Sequence, residues 1–113
     1  MSMNNKEINS RTGLYCIFGS PVRHSISPVI HNAAFREAGI DAVYLAFEPL
    51  SIGGAVSSMK ILGIRGASVT IPFKIDVCGH CDEIDPLAAG IGSVNTLANI
   101  EGRIIGYNTD GYG

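Results

Sequence analysis

The chain has 113 residues, a net charge of −2, 46% hydrophobic residues and 16% charged residues. This length and composition predict one folded domain with a single core, and they exclude a disordered chain. The eight basic residues form no cluster, and no apolar stretch approaches the ~20 residues that span a bilayer, so we expect neither nucleic acid nor a membrane as a partner.

The first residues do not have the pattern of a secretion signal. Residues Met1–Thr12 are polar and lack an apolar segment, so they predict a flexible leader (residues 1–12) ahead of a folded domain at residues 13–113. The three cysteines are an odd number, and without a secretion signal they indicate reduced thiols in a cytoplasmic protein.

Apolar runs alternate with helical segments along the first part of the chain, an order typical of a βαβ protein. The second helical segment is the weaker one, because Gly53 and Gly54 stand where helix formers are preferred. We predict strands and helices in the order Leu14–Gly19, Ser27–Ala38, Ala42–Phe47, Ile52–Leu62 and Gly66–Ile71.

Ser27 and Pro28 mark the start of the first predicted helix. A serine followed by a proline is typical of a side-chain N-cap and the first helical residue, and Gly39 ends the helix in a left-handed conformation. The expected apolar face of this helix consists of Val29, Ala33, Ala34 and Phe35.

The last part of the chain predicts helix followed by a hairpin. Phe73–Gly92 has a helical pattern that is interrupted near Pro86. Val94–Ile100 and Arg103–Tyr107 flank Glu101-Gly102 and predict two antiparallel strands. The whole pattern predicts an α/β domain with a mostly parallel β-sheet.

A polar loop follows the first predicted strand. Ligands of open parallel sheets bind at the carboxyl ends of the strands, and a helix N-terminus favours an anion. The loop from Gly19 to Pro28 follows the carboxyl end of a predicted strand and leads into the N-terminus of a predicted helix. Ser25 and Ser27 add two hydroxyl donors suited to a carboxylate. The alternative is that Ser27 only caps the helix and Ser25 is a solvated loop residue.

Three further segments carry candidate polar side chains. Ser68, Thr70 and Lys74 lie at the end of the third predicted strand, Asn95 lies at the entry to the hairpin, and Asp110 follows it. Each also has an ordinary explanation, since a lone lysine is usually solvated and Asn and Asp are common in turns and caps.

The segment Cys78-Gly-His-Cys81 matches the C-x-x-C pattern of thiol–disulfide oxidoreductases, which is a rival hypothesis. Such motifs need an uninterrupted helix that lowers the thiol pKa, but acidic residues follow at once and Pro86 interrupts the helix. Zinc fits less well, because Cys78, His80 and Cys81 are crowded and no second ligand set matches them. We expect packed thiols and no metal site.

Four segments, taken in order, resemble the shikimate dehydrogenase family. They are Phe18–Pro28 (FGSPVRHSISP), Val69–Lys74 (VTIPFK), Val94–Thr96 (VNT) and Gly106–Gly111 (GYNTDG), and their order and spacing extend the resemblance over nearly the whole range from Leu14 to the end. The resemblance implies the N-terminal, substrate-binding domain of that family, a three-layer αβα sandwich with a mostly parallel β-sheet.

The resemblance also implies an activity. The family's enzymes are NADP-dependent, belong to chorismate and aromatic amino-acid biosynthesis, and interconvert 3-dehydroshikimate and shikimate. By this likeness Ser25 and Ser27 hold the substrate carboxylate, and Lys74 and Asp110 form the catalytic pair. The substrate's ring hydroxyls are expected to contact Thr70, Asn95 and Asp110.

Ser68 departs from the family pattern, because many members carry Asn at that position. A serine there, together with the segment Cys81–Pro86, is similar to the dehydrogenase half of bifunctional dehydratase–dehydrogenase proteins. Ser68 is expected to contact the ligand directly or through a water molecule. The two loop serines favour shikimate over quinate, which stays the nearest alternative substrate.

The resemblance places NADP outside this chain. No G-x-G-x-x-G stands between a strand and a helix, and family members continue beyond the Asn-Thr-Asp-Gly segment into a linker and a Rossmann domain. We therefore expect no cofactor-binding residue here, no dehydrogenase activity from this chain alone, and apolar surface that supports a homodimer. A non-catalytic small-molecule-binding module is the third hypothesis.

Overall fold

The computed structural model describes residues 7–112. The first six residues of the predicted leader lie outside this range. At its described end, the hydroxyl of Thr12 donates to the Asp41 carboxylate (2.8 Å). The elements in chain order are β1 (Gly13–Phe18), α1 (Ser27–Ala38), β2 (Ala42–Phe47), α2 (Ile52–Leu62), β3 (Gly66–Val69), a 3₁₀ helix (Asp76–His80), β4 (Glu83–Ile84), α3 (Pro86–Ile91), β5 (Thr96–Ile100), β6 (Arg103–Tyr107) and a second 3₁₀ helix (Thr109–Tyr112).

The six strands form one sheet in the order β2-β1-β3-β5-β6-β4. β1 pairs in parallel with β2 and β3, and β4 pairs in parallel with β6. β5 is antiparallel to both of its neighbours. The prediction of an α/β fold with a mostly parallel sheet is therefore confirmed, and the carboxyl ends of β1 and β3 meet at the same edge.

The larger core lies between the sheet and α2, α3 and the first 3₁₀ helix. Successive strand side chains point to opposite faces, so Cys16 and Phe18 of β1 enter this core. Its fully buried members include Met59 from α2 and Ile104 from β6. Burial of such side chains contributes about 1.5–3 kcal/mol each.

Helix α1 covers the other face over β1 and β2, and it packs differently from the prediction. No residue of α1 is buried, and Val29 of the expected apolar face is 72% exposed. Of the expected face, Phe35 does contact the sheet, with its ring 5.5 Å from that of Tyr15, and His31, which was not expected, stacks on Tyr44 at 4.2 Å. The expected face was wrong for Val29, Ala33 and Ala34, which are exposed, and right for Phe35, because α1 rests on two strands at the edge of the sheet and only a narrow side of it meets protein.

The predicted helix over residues 73–92 was also wrong. The structure has the five-residue 3₁₀ helix, the two-residue edge strand β4, and α3 in that segment. Pro86 begins α3 rather than interrupting a longer helix, and the Asp85 carboxylate accepts a hydrogen bond from the Leu87 N–H (3.2 Å). A proline costs little at a helix start because its missing N–H would be unpaired there anyway.

Other predicted boundaries are confirmed. Gly39 and Gly63 end α1 and α2 with φ of 69° and 71°, in the left-handed region. β5 and β6 form the predicted hairpin around Glu101 and Gly102, whose φ values of 53° and 86° fit a turn with two left-handed residues.

Candidate functional site at the carboxyl ends of the central strands

The loops after β1 and β3 lie against each other. The Thr70 N–H donates to the Phe18 carbonyl (2.9 Å), and the Ser20 N–H donates to the Ile71 carbonyl (2.9 Å). Both loops contain a cis peptide bond, at Ser20–Pro21 and Ile71–Pro72. The two polar segments that the sequence singled out are therefore neighbours in space.

A cavity of about 400 Å³ opens between these loops and the first turn of α1. It brings together three of the predicted ligand-binding hydroxyls, those of Ser25, Ser27 and Thr70. The other lining residues are Ile17, Pro21, Val22 and His24. No lysine or arginine among residues 7–112 lines it, so from these residues an anion in this cavity would meet hydroxyl donors, N–H donors and the His24 side chain.

The N-cap of α1 was predicted at Ser27, and the structure places it one residue earlier. Ser27 is the first residue of α1, and the N-cap is Ile26, which has a helical φ and no side-chain bond. The capping acceptor comes from Ser25, whose Oγ accepts the Ser27 N–H (3.1 Å). The Ser25 hydroxyl can still donate its proton, and among residues 7–112 no partner is found for the Ser27 hydroxyl.

The segments that carry Lys74, Asn95 and Asp110 are joined to one another. The Val94 N–H donates to the Lys74 carbonyl (2.9 Å). The side-chain oxygen of Asn95 accepts bonds from the N–H and hydroxyl of Thr109 (3.0 and 3.2 Å). This fixes the backbone immediately before Asp110, which is exposed. None of the three predicted site residues lines the cavity around Ser25.

Ser68 lies in β3, two residues before Thr70 and on the same face of the sheet. Its hydroxyl accepts a bond from the phenol of Tyr44 (2.7 Å). It lines a separate groove of about 620 Å³, together with Thr96 and one side of α1. Among the described elements, no helix covers this face beyond β1, and that leaves the groove open.

Glu48 is a loop-anchoring residue that the sequence interpretation missed. It follows β2 directly, and its carboxylate accepts the Val22 N–H (2.8 Å) and the Arg23 Nε–H (3.2 Å). The Val22 N–H, assisted by Arg23, holds the pKa of the Glu48 carboxyl below its usual value. Its position at the end of a parallel strand, level with the loop after β1, was the available signal.

The cysteine pair has the properties of packed thiols. The thiols of Cys78 and Cys81 contact the carbonyls of Lys74 and Val77 at 3.7 and 3.4 Å. Burial, followed by the proximity of Cys78 and Asp82, raises the pKa of Cys81 to about 11. A redox cysteine needs the opposite shift, because the thiolate is the nucleophile.

Other site types find no support in residues 7–112. No group of three or more His, Cys, Asp or Glu side chains is placed to hold a metal ion. No helix in this range has both the length and the apolar character to cross a membrane. The turn between β1 and α1 contains one glycine, Gly19, and lacks the glycine-rich pattern that binds the pyrophosphate of a dinucleotide. The residues present therefore do not fit NADP.

The fold and this polar rim define a class of protein: an α/β domain with a polar cavity at the carboxyl ends of its central strands. Residues 17–97 match the family model of the shikimate dehydrogenase substrate binding domain. The chain belongs to this family.

Individual relatives agree with the family assignment. A curated shikimate dehydrogenase (NADP(+)) of Pyrococcus furiosus is 46% identical over 107 residues, which are 94% of this chain and 40% of that protein. The crystal structure of a shikimate dehydrogenase in complex with NADP+ has a TM-score of 0.91 at 46% identity and covers 95% of this chain and 38% of its own. A shikimate 5-dehydrogenase of Listeria monocytogenes, in complex with shikimate and NAD, has a TM-score of 0.90 at 36% identity, with 96% and 38% covered. The chain thus spans about 40% of the length of the relatives it matches.

Proposed function

We propose that this chain is the substrate-binding domain of an NADP-dependent shikimate dehydrogenase. In this role it binds 3-dehydroshikimate and shikimate and works in aromatic amino-acid biosynthesis, in the cytoplasm. The observation that carries the proposal is the cavity in which Ser25, Ser27 and Thr70 meet at the rim of the sheet. The family assignment gives the chemical class of the ligand, a hydroxylated ring carboxylate.

The ligand carboxylate would be bound by the two loop serines. Ser25 already accepts the Ser27 N–H, so its own proton remains for an acceptor outside the loop. The Ser27 hydroxyl projects from the first turn of α1, where the helix dipole favours negative charge. Two hydroxyl donors at a helix start suit a carboxylate without requiring a cation.

The ring hydroxyls would be bound on the side of β3 and β5. Thr70 lines the cavity, and the residue before it, Val69, donates its N–H to the Asn95 carbonyl (2.8 Å). The Asn95 side-chain oxygen accepts bonds from Thr109, so its amide nitrogen would be the donor to a ligand hydroxyl. We include Ser68 as a contact made directly or through water.

Lys74 and Asp110 are proposed as the catalytic pair. Reduction of a ring ketone creates negative charge on the carbonyl oxygen, and an ammonium stabilises that charge and delivers the proton. A carboxylate beside the ammonium holds it in place and accepts a neighbouring ring hydroxyl. The two segments approach each other through Val94, Asn95 and Thr109, which supports this pairing.

The hydride donor would come from outside these residues. The described chain does not fit NADP, so we propose that residues 13–113 act with a separate NADP-binding domain and that the chain alone does not reduce 3-dehydroshikimate. A homodimer is proposed as the assembly, because exposed apolar side chains such as Leu50 and Ile71 remain on the surface.

Titration of the ¹⁵N-labelled chain with shikimate, followed by NMR, tests the proposal. We expect saturable shifts at the amides of the β1–α1 loop, β3 and the residue before Asp110. Ser25→Ala should weaken binding about tenfold or more, since a hydrogen bond to a charged group contributes about 1.5–3 kcal/mol. Ser57→Ala is the matched control, because Ser57 is exposed on α2, a helix that packs on the opposite face of the sheet.

Two results would refute the proposal. The first is no shift in the β1–α1 loop at shikimate concentrations in the tens of millimolar, chosen because a half-site binds weakly. The second is equal loss of affinity in the Ser25 and Ser57 variants. Quinate is titrated in parallel, and tighter binding of quinate than of shikimate would replace the proposed substrate.

A further inference from the structure

Glu48 and the loop of the two serines are connected by a series of hydrogen bonds. The Glu48 carboxylate accepts the Val22 N–H (2.8 Å), the Val22 carbonyl accepts the Ser25 N–H (3.0 Å), and the Ser25 hydroxyl accepts the Ser27 N–H (3.1 Å). The series begins at the end of β2 and finishes in the first turn of α1. Each bond fixes the backbone that carries the next side chain.

The amide bond, rather than the ion pair, is the important contact of Glu48. Its ionic partner Arg23 has a side chain that is 82% exposed, and exposed ion pairs contribute little. Val22 is instead buried at 5% exposure and lines the cavity. A charged acceptor on a backbone N–H makes a stronger bond than a neutral one. The carboxylate is thus suited to holding Val22 in place.

A negative charge so close to an anion site has an electrostatic cost. A carboxylate at this position disfavours a second carboxylate nearby, unless donors occupy its oxygens. Here Val22 takes one oxygen and Arg23 takes the other. The chain therefore retains the geometric effect of Glu48 while Arg23 offsets its charge.

We propose that Glu48 is a positioning residue for ligand recognition: by holding the Val22 N–H, it sets the Ser25 and Ser27 hydroxyls at the spacing that binds a ligand carboxylate. It does not itself touch the ligand. This role rests on the proposed function, since it assumes that the two serines bind a carboxylate group.

The test compares shikimate with its methyl ester, which keeps the ring and loses the charged carboxylate. NMR titration gives the dissociation constants of both ligands for the unaltered chain, Glu48→Ala and Glu48→Gln. Glu48→Ala should weaken shikimate binding about tenfold, and methyl ester binding by no more than about twofold. Glu48→Gln keeps an oxygen for the Val22 N–H, so it should restore shikimate affinity to within about threefold.

Two further measurements separate positioning from general stability. Hydrogen exchange of the Val22 amide should accelerate in Glu48→Ala and not in Glu48→Gln. Glu37→Ala removes an exposed carboxylate from α1 and serves as the matched control. We expect no change in the dissociation constant of either ligand.

The outcomes are distinguishable. If the unaltered chain binds neither ligand, the proposed function fails and the role of Glu48 fails with it. If the unaltered chain binds shikimate but Glu48→Ala binds it equally well, only the role of Glu48 is overturned. Equal weakening of both ligands in Glu48→Ala, without recovery in Glu48→Gln, would likewise overturn positioning, because a general structural role predicts that result.

Discussion

Gly19 lies where the two site loops approach most closely, and Gly19→Ala should damage the site by overpacking it. A β-carbon at this position would lie 2.5 Å from Val22 Cγ1, would overlap Thr70 Cγ2, and would be 3.3 Å from the Ile71 carbonyl oxygen. Nonbonded carbons prefer separations of about 3.5–4.0 Å, so both side chains must move by roughly 1 Å or more. Overpacking of this kind costs about 1–3 kcal/mol.

The two displaced side chains line the cavity, so the substitution should affect stability and binding together. We expect the melting temperature of Gly19→Ala to fall by at least about 4 °C, following the usual relation between free energy and melting temperature for a domain of this size. We expect shikimate binding to weaken by more than tenfold, roughly the loss of one charged hydrogen bond. Calorimetry and NMR titration measure the two effects.

Gly90→Ala is the matched control for the same chemical change. A β-carbon at Gly90 meets no atom within 4 Å, and the residue lies in α3 without a positive φ. Alanine there should stabilise the chain by about 0.5–1 kcal/mol and leave binding unchanged. If Gly19→Ala were as stable as the unaltered chain and bound shikimate normally, the close approach of the two loops would be refuted.

Three further predictions concern other parts of the molecule. Burial raises the pKa of Cys16 to about 12 and that of Cys81 to about 11, so both thiols stay protonated in the folded chain. Their stabilising contribution is complete below the ordinary thiol pKa of about 8.5. It is lost as pH rises to about 11 for Cys81 and to about 12 for Cys16, so the melting temperature should fall as pH rises above about 8.5, and a flat profile would contradict the buried placement. Ser51→Ala removes the side-chain cap of α2 and should lower the free energy of unfolding in urea by about 0.5–2 kcal/mol. In a complete enzyme that includes an NADP-binding domain, Lys74→Met should lower kcat by about 10²- to 10⁴-fold with a smaller change in shikimate affinity, and near-normal turnover would exclude Lys74 as the proton donor.

The sequence predicted those elements whose boundaries are set by local chemistry. Gly39 and Gly63 end the two long helices because glycine readily adopts the left-handed conformation. A single residue type is therefore enough to predict where each helix ends. The segment from 73 to 92 was not predictable in this way. A two-residue strand such as Glu83–Ile84 is too short to show an alternating pattern. It is a strand because it pairs with β6, which the local sequence does not indicate.

In the candidate site, too, residues of a local motif were predictable from the sequence and residues positioned by long-range contacts were not. Ser25 and Ser27 were identified from a local motif, and the structure brings them together with Thr70. Glu48 was missed because its contact with Val22 spans 26 residues and follows from the sheet order, not from any spacing in the sequence. The exchange of capping roles between Ser25 and Ser27 depends on the helical φ of Ile26, which the residue type alone does not indicate.

The outer edge of β2 provides the last prediction. β2 is the end strand of the sheet, and its sequence from Ala42 to Phe47 contains no charge and no proline. Such an edge invites pairing with another chain. The side chain of Asn32 from α1 covers it: Nδ2 donates to the Tyr44 carbonyl and Oδ1 accepts the Tyr44 N–H, both at 2.8 Å. One amide side chain thus occupies the central backbone groups of the edge as a neighbouring strand would.

Asn32→Ala should therefore have two consequences that occur together. Loss of two hydrogen bonds should lower the free energy of unfolding by about 1–3 kcal/mol, and the uncovered edge should promote association that increases with protein concentration. Asn32→Asp tests the geometry, because a carboxylate still accepts the Tyr44 N–H but repels the Tyr44 carbonyl, so this isosteric change should be destabilising as well. Glu37→Ala, on the exposed side of the same helix, controls for a change in helix propensity. Urea denaturation and sedimentation velocity measure the two effects. An Asn32→Ala chain with the same stability and the same oligomeric state as the unaltered chain would show that the edge of β2 is protected by something other than Asn32.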